Sequence, residues 1–243
     1  MISIELLTVL LAGIPIGIFG VVFGGNMFLS FPLFQWLFPG MSVGAIVGNI
    51  KPGSVVRNVA ALWPLRNEID YRLVNSLLLP LGLGSTIGAA AIANLSQAFI
   101  IPILILGWFT FEFADRLSRF LTPSRLWFGA TAVGAYGGIF GAGVSLILVS
   151  LLRLRDAEVK AMLHTRTDAL YLETILTLIS VGVFLSFGLI DWPIMLAWAT
   201  GALLGGYLGG KLLTYTGTFS PQTQKRVVTV AFVIAIVVAL WRI

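Results

Sequence analysis

Six stretches of this chain, roughly 43–63, 73–93, 96–114, 160–186, 192–213 and 224–241, are each about as long as the twenty mostly apolar residues a helix needs to cross a 30 Å hydrocarbon core. With so much continuous apolar sequence, the backbone must satisfy its own hydrogen bonds inside helices. Composition agrees: of 243 residues, 58% are hydrophobic and 10% charged, and the mean hydropathy is +1.00. A soluble domain is about 25% charged, so a water-soluble enzyme is excluded. The breakers between stretches are Trp63-Pro64, Asn94 to Gln97, Asp191-Trp192-Pro193 and Thr218 to Pro221. Trp63, Trp192 and Trp241 sit where interfacial anchors belong. Residues Met1 to Glu5 lack the basic start of a signal peptide, so the amino terminus is expected to be retained.

Two further apolar regions, 3–39 and 125–154, are interrupted by glycines: Gly20, Gly24 and Gly25 in one, and Gly134, Gly137, Gly138, Gly141 and Gly143 in the other. The arm after each interruption, Met27 to Phe38 or Val144 to Leu154, is short for a crossing. These regions are either a crossing plus a half-helix or a hairpin returning to its own side, and such irregular backbone needs protein or a watery cavity around it.

The halves repeat one another. Gly20-Val21-Val22-Phe23-Gly24 matches Gly137-Gly138-Ile139-Phe140-Gly141 at an offset of 117; Asp70-Tyr71 matches Asp191-Trp192, and Gly84 and Gly88 match Gly205 and Gly209, at an offset of 121. The spacing predicts one integral membrane domain made of two repeats, 1–121 and 122–243. Basic residues set the orientation. With both broken regions returning to their own side, Arg66, Arg72, Arg116, Arg119, Arg125, Arg153, Arg155, Lys160, Lys211, Lys225 and Arg226 share one face, and only Arg242 lies on the other. The positive-inside bias makes the eleven-residue face cytoplasmic. The expected fold is all-α integral membrane: two inverted repeats, each a glycine-broken re-entrant helix pair plus three crossings, with both termini extracytoplasmic.

Charges inside the spans mark the candidate site. Lys51, Arg57 and Arg166 are joined by Asp168, Glu173 and the sole histidine, His164. A mid-bilayer charge costs at least about 2.5–3.5 kcal/mol, so such residues face a cavity or a partner. The repeat sets Lys51-Pro52 against Thr167-Asp168, both about 14–15 Å deep at 1.5 Å per residue. The set sums to 3 − 2 = +1 with His164 neutral, which favours a small anion. Internal salt bridges are the alternative, with Arg57 to Asp168 and Lys51 to Glu173 as depth-matched pairs; Arg166 and Arg57 could also snorkel to the interface. Lys51, Ser54 and Asn58 share a helix face. Gly25, Asn26, Gly141 and Gly143 sit at the breaks, where backbone N–H groups can face an anion. The Gly13-Gly17, Gly84-Gly88 and Gly201-Gly205-Gly209 spacings read as close helix packing.

Without cysteine and with one histidine, thiolate metal sites and thiol chemistry are absent. No metal, cofactor or nucleic-acid partner is expected; the partners are a small anionic substrate and the lipid bilayer. An intramembrane enzyme would be confined to carboxylates and hydroxyls. An anion channel and a non-transporting assembly subunit are the other readings.

In order along the chain, Gly20 to Asn26 with Phe31-Pro32-Leu33, Val47-Gly48-Asn49-Ile50, Ile69-Asp70-Tyr71 and Gly84 to Gly88, then Gly137 to Gly143, Leu163-His164-Thr165-Arg166, Ile190-Asp191-Trp192 and Gly201 to Gly209, resemble the sulfite exporter TauE/SafE family. The resemblance covers nearly the whole chain, and the order of its motifs is the specific part. It implies export of sulfite, organosulfonates or related small sulfur-containing anions across a bacterial inner membrane. The family's Thr-Ser pair is replaced by Asn49-Ile50 and Thr165-Arg166. The expected substrate-binding set is Gly25, Asn26, Asn49, Lys51, Arg57, Asn58, Gly141, Gly143, Thr165 and Arg166, with His164, Asp168 and Glu173 as carriers of a coupled proton.

Overall fold

The computed structural model describes residues 3–95, 99–113, 126–155, 162–216 and 221–241. Among them, ten α-helices and no strand are formed: α1 (Ile4–Val22), α2 (Met27–Leu37), α3 (Val43–Leu62), α4 (Tyr71–Ala93), α5 (Ile100–Glu112), α6 (Leu126–Ile139), α7 (Val144–Arg155), α8 (Met162–Ser186), α9 (Trp192–Thr216) and α10 (Pro221–Trp241). Helices α3, α4, α5, α8, α9 and α10 occupy the six long apolar stretches. By length and apolarity alone, Ile4–Val22, Tyr71–Ala93 and Leu163–Ser186 suffice to cross a membrane. Arg116, Arg119, Arg125, Lys160 and Arg242, on which much of the expected charge asymmetry depends, lie outside the described residues, as does the retained start at Met1.

Short polar caps start these helices. Ser3 Oγ accepts from the Leu6 N–H and Ser42 Oγ from the Ala45 N–H, at 3.3 and 3.2 Å. Asp70 Oδ1 accepts from the Arg72 and Leu73 N–H groups and Asp191 Oδ1 from that of Ile194. Such caps satisfy donors that the helix leaves without partners. The short 3-10 turn Arg66–Glu68 leads into Asp70.

The glycine interruptions are helix breaks. Between α1 and α2, Gly24 and Gly25 have φ of 80° and 69°; between α6 and α7, Gly141 and Gly143 have φ of 76° and 71°. This left-handed backbone costs an L-residue with a Cβ about 1–2 kcal/mol, so the glycines fix where each helix stops.

Helix α1 packs on α9, and α6 on α4, through glycine. A Cβ on Gly205 would meet the Ile14 carbonyl, and one on Gly84 the Thr131 carbonyl; Gly17 faces the Ala202 carbonyl as Gly134 faces that of Leu81. Small residues at such crossings let backbones approach closely, as the glycine spacings indicated. These contacts keep the sequence offsets, 117 for the broken helices and 121 for their partners. Helices α3 and α8 cross in opposite directions: Asn49, early in α3, meets Leu189 beyond the end of α8, while Leu62, at the end of α3, clusters with Leu163 and Leu170. Around their crossing, Phe28, Phe31, Phe34, Phe140 and Trp198 form an aromatic core with edge-on contacts, and the Trp198 Nε1–H donates to the Ile50 carbonyl at 3.1 Å.

Candidate functional site

Where α3 and α8 cross between the two breaks lies a small cavity. Its polar lining is Asn26, Lys51, Ser54, Glu173 and Thr177, and Met27, Phe140, Val144 and Leu176 close it. The space open to the centre of a water molecule is about 10 Å³, close to that of one water. All five polar lining residues are buried.

Lys51 is 3% exposed and donates to the Gly137 carbonyl in the last turn of α6. Gly141 adjoins it: a Cβ there would stand in ordinary contact, 3.5 Å, with Nζ. Arg166, also 3% exposed, donates to the Val21 carbonyl at the end of α1 (3.0 Å) and to Ser145 Oγ at the start of α7 (3.1 Å). Each broken helix is thus capped at its carboxyl end by a cation from the other half, where the helix dipole favours positive charge.

Arg57, 1% exposed, pairs with Glu173 at 2.9 Å. Asn58 Oδ1 accepts from Arg57 Nε and Nη2 at 2.8 and 2.6 Å. Arg57 Nη1 and Asn58 Nδ2 find no protein acceptor among the described residues; Nη1 packs against Gly20 beside Asn26. Asn26 Nδ2 donates to Ser54 Oγ at 3.4 Å. Lys51, Arg57 and Arg166 all lie within electrostatic reach of Glu173. With Asp168, also buried on α8, the buried charged groups sum to 3 − 2 = +1, so positive charge is in excess.

Several expectations change. The salt bridge is Arg57–Glu173, not Arg57–Asp168, and Lys51 meets a carbonyl rather than Glu173. The cause is register: the offset between halves grows from 117 at the breaks to 119 at the starts of α3 and α8 (Val43, Met162) and 121 at the Asp turns. Asn49, not Lys51, is therefore the counterpart of Asp168. Neither Arg57 nor Arg166 snorkels, because acceptors inside the bundle hold both. Asn49 and Asp168 are buried, but each bonds a turn of the opposite half: Asp191 N–H to Asn49 Oδ1 at 2.9 Å and Asp70 N–H to Asp168 Oδ1 at 2.8 Å. His164 stands in the first turn of α8, its side chain 43% exposed, paired with Glu68 at 2.9 Å. Thr165 is buried outside the cavity lining. Gly25 faces Val228 and Phe28, and Gly143 sets the second break.

Sequence reasoning passed over Thr177 and Ser145. Thr177 was detectable as the residue one turn beyond Glu173; nothing local distinguished Ser145, which meets Arg166 only through the tertiary fold.

No group of three or more His, Asp or Glu that could hold a metal ion occurs among the described residues. No curated protein and no solved structure matches the chain. The model of the family described as sulfite exporter TauE/SafE matches residues 9–240. The buried, cation-rich centre and the apolar helices agree with that match: the chain belongs to the sulfite exporter TauE/SafE family of membrane transporters, and it is not an enzyme.

Proposed function

We propose that the chain is a carrier exporting a small sulfur-containing anion, sulfite or an organosulfonate, by alternating access between two inverted halves, 1–121 and 122–243. The observation that carries this reading is the buried polar cavity beside buried charged groups that sum to +1. Buried charge of that size calls for a counter-ion, and an anion supplies it. Lys51 is the first ligand of the anion, with Ser54, Asn26 and Thr177 as polar walls; Arg57 and Arg166 provide positive potential from behind. Space for about one water at the cavity favours a carrier over a channel.

Inversion is supported by the antiparallel crossing of α3 and α8 and by the matched glycine contacts. With the Arg66 and Arg72 face cytoplasmic, in an inner membrane, both termini are extracytoplasmic. Glu173 is the carboxylate at the cavity, and its protonation would release Arg57 toward the anion; it is a better carrier of a coupled proton than His164 at the rim or Asp168 on its turn.

Flux in proteoliposomes, with and without a pH gradient, tests the reading. Saturable sulfite or organosulfonate flux is expected in wild type, reduced at least about tenfold in Lys51→Ala, the equivalent of 1.4 kcal/mol. Equal flux in the two proteins would remove Lys51 and the cavity from the mechanism.

A further inference from the structure

Two turns at opposite ends of the bundle are each fastened to a helix of the other half, and the fastening residues are equivalent. The turn 189–191 precedes α9; its Asp191 N–H donates to Asn49 Oδ1, and its Leu189 carbonyl accepts from Asn49 Nδ2 at 3.3 Å. The turn 68–70 precedes α4; its Asp70 N–H donates to Asp168 Oδ1, and its Glu68 carbonyl lies 3.2 Å from His164 Nδ1. Asn49 and Asp168 are each the seventh residue of their helix, α3 and α8. From Asp168 to the end of α8 is about 27 Å at 1.5 Å per residue, close to the hydrocarbon thickness. The cavity residues Glu173 and Thr177 lie between the two levels.

We propose that these turns are the two gates of the carrier, and that Asn49 and Asp168 are the positioning residues that latch them. The turn 189–191 is released when the cavity opens to one face, and the turn 68–70 when it opens to the other. This rests on the transporter reading and adds where its gates are. Both latches are made in this structure, in which the polar cavity lining is buried. Each is a few hydrogen bonds, individually weak enough to break and reform in a working cycle. The latches are also unequal. Asn49 offers a neutral amide. Asp168 offers a carboxylate, which holds an N–H more firmly, and its turn is also tied by the His164–Glu68 pair at 2.9 Å and by the edge-on contact of Tyr71 with Tyr171, centroids 5.7 Å apart. The gate at Asn49 is therefore the easier to open.

The chain contains no cysteine, so one thiol placed in the cavity, Thr177→Cys, reports access from each face when a membrane-impermeant thiosulfonate is added to oriented vesicles. Asp168→Ala is expected to raise the labelling rate at least about tenfold, an equivalent of 1.4 kcal/mol, from the face bearing Arg66 and Arg72. Asn49→Ala is expected to raise it from the opposite face, by less, because its gate already opens more readily. Where a latch variant does not fold, locks replace it. A Cβ on Gly48 would stand 3.4 Å from that of Leu189, close to disulfide spacing, so Gly48→Cys with Leu189→Cys closes one gate. Glu68→Cys with His164→Cys, joined through two mixed disulfides by a short bis-thiosulfonate, closes the other. Each lock is expected to abolish labelling through its own face, and reduction to restore it. The proposal is overturned if both latch variants act on the same face, if neither changes access, or if a locked gate still admits reagent from its side. Labelling needs no transported solute, so a failure of Lys51→Ala to alter anion flux would leave this result standing.

Discussion

At the break that ends α1, Arg166 reaches two acceptors, the Val21 carbonyl and Ser145 Oγ, and joins the end of one helix to the start of another. At the break that ends α6, Lys51 meets the Gly137 carbonyl and faces the cavity. The glycine geometry is shared and the cation comes from the opposite half in both cases, yet the chemistry differs. A planar guanidinium holding two acceptors is fixed in place, whereas an ammonium on a flexible stem can exchange a carbonyl for an anion. In the proposed carrier, one break serves as a joint and the other as a binding site. Symmetry in the backbone thus need not carry over to function, and the residue type at each cap tells them apart.

The largest effect expected from this difference is on stability. Arg166→Ala strands a buried carbonyl and hydroxyl and should cost about 3 kcal/mol or more, visible as a lowered unfolding midpoint or lost expression. Lys51→Met strands one carbonyl and should cost about 1–2 kcal/mol while removing transport. Equal destabilisation by the two would erase the distinction. A smaller effect separates the glycines. Gly24→Ala and Gly141→Ala both force a Cβ into left-handed backbone, at about 1–2 kcal/mol each. Only Gly141→Ala sets its Cβ beside Lys51 Nζ, at an ordinary contact distance of 3.5 Å, so a change in anion affinity is expected from it alone, which ligand-dependent thermal shifts can read. The smallest effect concerns hydroxyls: Thr177→Val should lower affinity about fivefold, roughly one neutral hydrogen bond, and Ser145→Ala should leave affinity unchanged while lowering stability.

Much of this molecule could be read from its residues in order. Long apolar runs required helices, the Asp-aromatic turns marked where α4 and α9 begin, and the Gly-xxx-Gly spacings marked α1, α4 and α9 as close-packed without saying against which helix. Lys51, Arg57, Arg166 and Glu173 stood out because charge is costly in an apolar span. Partner choice was hidden. Two extra residues between the second break and α8 shift the register, so Asp168 meets Asp70 rather than Arg57, and Asn49 becomes its equivalent. That shift is a property of connection lengths, which hydropathy does not record. Ser145 stayed hidden for the same reason: a serine in an apolar half-helix gains meaning only from the arginine brought to it.

The central claim, that the cationic cavity holds one small anion, is tested most directly by calorimetric titration of the purified protein with sulfite, in parallel with Lys51→Met. Saturable binding of one anion per chain in wild type, lost or weakened at least about tenfold in a Lys51→Met protein that remains folded, is the expected result. Identical isotherms for the two proteins, or no binding of sulfite or any organosulfonate to the wild type, would contradict it.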